Sequence, residues 1–167
     1  MRYYITIPIV ALIAIFQATI SPEFRLFGVN PDLTLVVTIV WVLIRGEQEG
    51  VLAALIGGAA VAALSGGPRL LIIASFVACN LLVGYAYRHL PRMAGIIPYL
   101  AIVVSTLLVK IVLIFWLSTT TDLLYLRGLV VQKVLPALLY NLVLMVVIYN
   151  LADRIDRRLG PPTVEWQ

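Results

Sequence analysis

Side chains that could carry chemistry are scarce in this chain. It has one cysteine and one histidine in 167 residues, and Asp, Glu, Lys and Arg together make up 12%. A single cysteine excludes a disulfide framework and a thiol metal site, and Cys79, set in an apolar run, reads as a small buried hydrophobe. His89 follows Arg88 at the end of another apolar run, where an interfacial group is expected rather than a catalytic one. No zinc, haem, Walker or nucleophile-elbow pattern occurs. No second acid stands at useful spacing and no nucleophile is paired with a base. The expectation is therefore no enzyme: no catalytic, cofactor-binding or metal-binding residues.

What is abundant is apolar surface. Hydrophobic residues make up 62% of the chain, the mean hydropathy is +1.06, and no core available to so short a chain could hide that much from water. The sequence predicts an all-α polytopic membrane protein, a bundle of about six helices in one domain over 1–152, followed by a short basic tail over 153–167. A net charge of +4 needs no nucleic acid, because basic residues gather at anionic lipid headgroups.

Helix 1 is expected over Tyr3–Ile20, too long for a cleaved signal peptide. Asn30-Pro31-Asp32 opens helix 2, Asp32–Ile44, which at thirteen residues spans roughly 20 Å, short of a bilayer core. A charged turn over Arg45–Gly50 leads to helix 3, Val51–Leu64, also short. Both cross through a thinned or protein-shielded region, or the pair is re-entrant; crossing is preferred, because the charged tip would be costly in hydrocarbon. Helices 4, 5 and 6 are expected over Leu70–Tyr87, Ile96–Leu117 and Leu129–Leu151, with a short interfacial segment at Leu123–Leu126. Counted by alternate loops, Lys and Arg divide seven against four. That bias favours cytoplasmic termini.

Small residues at Ala54, Gly58, Ala62 and Gly66 make a flat strip along helix 3, suited to internal packing or to a partner's helix. Lys110 is the basic residue well inside an apolar helix and needs a partner, a wet cavity or a neutral state. Asp32 matches its depth and Asp122 is the other candidate. The pair reads either as an outward-facing binding pocket or as a structural ion pair, with snorkelling of Lys110 a further alternative. Asn141 is deep in helix 6 and is expected to bond across helices. Arg154, Arg157 and Arg158 share one face of the tail, where anionic lipid or an acidic partner would bind.

Asn30-Pro31-Asp32-Leu33-Thr34-Leu35, then Arg45-Gly46 and Gly50 before a Gly/Ala-rich helix ending Leu64-Ser65-Gly66, then a helix ending Gly84-Tyr85, resembles the rod shape-determining protein MreD family. The pattern Val134-Leu135-Pro136-Ala137-Leu138-Leu139-Tyr140-Asn141 before a basic tail is similar to that family's last helix. Ala62 departs from it, since relatives often carry an acid there. The resemblance implies a non-enzymatic scaffold of the cell-elongation and peptidoglycan-synthesis machinery in the bacterial inner membrane. Its partners would be the single-span protein MreC and, through it, RodA with its penicillin-binding transpeptidase and, indirectly, the actin-like cytoskeleton. The family is also distantly similar in fold to substrate-binding subunits of energy-coupling-factor vitamin transporters, which dock through small residues on helix 1. Ala14 and Ala18 have such a spacing, and they or helix 3 would form the wall for a partner's transmembrane helix.

Overall fold

The structure is a computed structural model that describes residues 8, 10, 12–17, 30–90, 95–118 and 130–159, with side chains for all of these except 130, 131 and 155–159. All regular structure among the described residues is helical. A first segment, α1, is helical over 12–17. It is followed by α2 (Leu33–Arg45), α3 (Glu47–Ser65), α4 (Arg69–His89) and α5 (Ile97–Ser118). A π-helical turn, Val130–Val134, then leads into α6 (Leu135–Leu159). Pro136 stands in the first turn of α6, where its missing N–H is tolerated. By length and apolar composition four stretches could cross a membrane: α3, α4, α5 and Gln132–Arg154.

The bundle is arranged around α2. Every residue of α2 from Thr34 to Val40 is buried, as are Val42 and Leu43, with α3, α4, α5 and α6 packed around it. Leu35, Ile39 and Val42 form the middle of the core with Phe76, Ile102 and Met145. Such a helix must be apolar on every side, and its two threonines are the exceptions. Thr38 Oγ1 donates to the carbonyl of Leu35 at 2.9 Å, which satisfies the hydroxyl within its own turn. Thirteen residues suffice because α2 meets other helices rather than lipid.

The turn expected over Arg45–Gly50 is a single residue. Gly46, at φ 91°, takes a conformation that a side chain would strain, and α3 begins at Glu47 instead of Val51. Glu47 and Glu49 thereby enter the first turn of α3, where the positive end of the helix dipole favours them. Gly50 is a crossing residue within the helix. A Cβ there would lie 2.6 Å from Val42 Cγ2 and 2.8 Å from Val42 Cα. With those extra residues α3 is 19 residues long, so it is not the short helix expected.

The small-residue strip also needs correction as a partner surface. Ala54, Gly58 and Ala62 are buried, and a Cβ on Gly58 would come within 3.2 Å of Ile73 Cα and 3.1 Å of Phe76 Cβ in α4. The strip is filled by α4, because helices in lipid associate through close backbone approach. Gly66 lies past the helix end and caps it in the left-handed region at φ 64°, with nothing near its absent side chain. Ala14 is likewise buried, while α1 turns Leu12, Ile15 and Phe16 outward. Ala18 lies outside the described residues.

Candidate functional site

The start of α2 is partly buried among the other helices. A helix start leaves N–H groups without partners, and in an apolar medium each needs one. Asp32 occupies the N-cap position, yet its side chain makes no cap bond to its own helix. Neighbouring amides do the capping. The Asp32 N–H donates to Asn141 Oδ1 at 2.9 Å, and the Thr34 N–H donates to Gln17 Oε1 at 2.5 Å. Two side chains from other helices thus satisfy two of the free N–H groups at the start of α2.

The carboxylate of Asp32 is free to face outward from its helix. Gln17 Nε2 donates to Asp32 Oδ1 at 3.4 Å, and Lys110 Nζ lies 4.0 Å from Asp32 Oδ2. Ser118, the last residue of α5, is eight positions beyond Lys110. At 1.5 Å per residue the Lys110 Cα is therefore about 12 Å below that end of the helix. Asn141 passes the network on: its Nδ2 donates to Thr106 Oγ1 at 3.0 Å, within the bundle. One connected set of polar groups links α1, α2, α5 and α6.

The structure brings together Asp32, Lys110 and Asn141 among the residues singled out from the sequence, and Asp122 lies outside the described residues. Gln17, Thr34 and Thr106 belong to the same cluster and were not anticipated. Their signal is the one that marked Asn141: a polar side chain inside an apolar run. Thr34 Oγ1 is buried and has no hydrogen-bond partner; Asn80 Oδ1, in α4, is in the same condition. Cys79 is buried, its Sγ 3.7 Å from the carbonyl of Ser105. Arg154 is exposed on α6, and the Arg157 and Arg158 side chains lie outside those described.

Chemically the cluster is a single carboxylate between an ammonium and a carboxamide. The other described acidic side chains, Glu47, Glu49 and Asp153, belong to the opposite end of the bundle, beyond the far end of α2 and late in α6. Among the described residues no three His, Cys, Asp or Glu side chains come together as metal ligands. The arrangement can bind, orient and couple helices. Compared with family models, with curated proteins and with solved structures, the chain gives no match.

Proposed function

We propose that this protein is a non-enzymatic, multi-pass scaffold of the cell-elongation machinery in a bacterial cytoplasmic membrane, with six spans and both termini in the cytoplasm. The observation that carries the reading is the bond between its two MreD-like segments. Asn30–Leu35 and Val134–Asn141 are far apart in the chain, and they meet where Asp32 N–H donates to Asn141 Oδ1. Residues that look like isolated motif fragments are parts of one joint that fixes four helices. A joint of that kind supports a rigid body on which another protein's helix can rest. With the strip Ala54, Gly58 and Ala62 occupied by α4, a single-span partner such as MreC would dock on an outward face. Leu12, Ile15 and Phe16 of α1 form one such face, and Leu55, Ala59 and Ala63 of α3 form another.

Purification from native membranes in mild detergent, followed by mass spectrometry of everything retained, tests the reading. A single-span protein with an extracytoplasmic domain, accompanied by cell-wall synthases, is the expected result. An ATPase module with a small polar molecule would overturn it in favour of a substrate-binding subunit of the energy-coupling-factor type.

A further inference from the structure

The two helices expected to be short meet the bilayer differently. The other helices shield α2, whereas α3 packs against α2 and α4 and turns Leu55, Ala59, Ala63 and Leu64 outward. Although α3 has 19 residues, its apolar length is less. Glu47, Gln48 and Glu49 stand at its start, with Gln48 exposed. At the other end Gly66, itself exposed, leaves the helix in the left-handed region. Lipid-exposed backbone outside a helix does not occur within hydrocarbon, so Gly66 marks as firm a limit as the carboxylates do. Between these limits residues 51–64 rise about 21 Å at 1.5 Å per residue, against about 30 Å for a hydrocarbon core. The 22 residues of α5 rise about 33 Å, and that helix packs against α2, α4 and α6, away from α3.

A span shorter than its bilayer has few remedies. Tilting would lower its height further. Glutamate side chains are too short to reach up to the headgroups as lysine and arginine do. Sliding along its neighbours is blocked as well. A Cβ on Gly50 would lie 2.8 Å from Val42 Cα, one on Gly57 2.9 Å from Thr34 Cγ2, and one on Gly58 3.2 Å from Ile73 Cα. These close seats on α2 and α4 fix the height of α3 in the bundle. Covering it with a second copy of the chain would leave the same polar limits at the same heights. What can adjust is the lipid.

We propose that the α3 side of the bundle thins the bilayer and collects phospholipids with short acyl chains, while the lipid along α5 keeps its ordinary depth. This goes beyond the scaffold reading and needs no partner protein. The test attaches a bimane fluorophore to the full chain through Ala59→Cys on α3 or Val104→Cys on α5, both exposed positions near the middle of their helices. Cys79 is buried and should not compete for the label. Each labelled protein is reconstituted in an equal mixture of dimyristoleoyl and dioleoyl phosphatidylcholine with one or the other lipid brominated, so that quenching reports which lipid touches the label. At Ala59→Cys the short-chain lipid should be enriched about threefold over the mixture. At Val104→Cys the lipid should match the mixture. Gln48→Leu with Glu49→Leu lengthens the apolar run and should lower the enrichment at Ala59→Cys, and the comparison between the two labels stands whether or not that pair of changes is tolerated. The same lipid composition at both labels, enriched or not, would overturn the proposal. So would unchanged enrichment in the folded, lengthened variant. Absence of quenching at Ala59→Cys by either lipid would also overturn it and assign the face to a second copy of the chain.

Discussion

The two ends of α2 are held by opposite means. At its start, side chains from α1, α5 and α6 reach Asp32 and Thr34 through directional polar bonds. At its far end, α2, α3 and α4 touch through glycines: Gly50 lies against Val42, and Gly84 is backed by both Glu47 and Val42. Lipid chains are as apolar as leucine, so burying apolar surface supplies little force between helices in a bilayer. Association then rests on close packing or on polar bonds. This bundle uses one at each end, which makes the end of α2 intolerant of volume and its start intolerant of lost polarity.

Adding volume at the packed end should have the largest effect. Gly50→Ala places a Cβ against Val42 Cα, a backbone atom that no rotamer change can move. It should destabilise the protein by about 3 kcal/mol in detergent unfolding. Trimming the neighbour should not rescue it, so recovery in Val42→Ala/Gly50→Ala would show that side-chain bulk, and not backbone approach, sets the limit. At the polar end, Asp32→Asn keeps the shape and removes the charge facing Lys110. Breaking a fully buried ion pair costs about 3–5 kcal/mol. Here the two side chains are 14% and 24% exposed and stand 4.0 Å apart, so the loss should be about 2 kcal/mol, discounted accordingly. Combined with Lys110→Met, the two changes should be non-additive by about 1 kcal/mol. Simple additivity would break the contrast between the two ends. The smallest effect belongs to Thr34→Val. It removes a buried hydroxyl with no hydrogen-bond partner, so stability should stay level or rise by up to about 1 kcal/mol. A clear loss would reveal a partner for Oγ1.

Apolar runs showed where the helices lie, since a chain in lipid must satisfy its backbone within each segment. The start of α3 was misplaced because Gly46, Gly50 and three polar residues look like a loop. Gly50 is there for proximity to Val42, and no local pattern tells a glycine that turns a chain from one that admits a neighbour. Asp32 opens the short α2 and Lys110 lies eight residues inside the end of α5, and both charges demand attention because charge is costly in an apolar medium. Gln17 and Thr106 went unmarked because a neutral amide or hydroxyl is cheap enough to pass as helix-packing polarity. Which partner such a group has depends on helix order around the bundle, which a one-dimensional pattern does not carry. The strip on α3 was visible, but its neighbour was not: small residues announce a close approach without saying whose.

The brevity of α2 also bears on how the protein is made. At roughly 20 Å it is shorter than the hydrocarbon layer, about 30 Å, and it carries a carboxylate at its start. Alone in the bilayer such a segment has no resting place. Gly46 joins it directly to the longer α3, so the two would leave the insertion machinery as a pair, with α3 supplying the anchorage. The groups that meet Asp32 from α5 and α6 belong to chain synthesised later, and Asn141 follows it by 109 residues. Until those helices arrive, Asp32 has only Gln17 among the described polar partners of its cluster, and the polar joint closes as the last step of assembly.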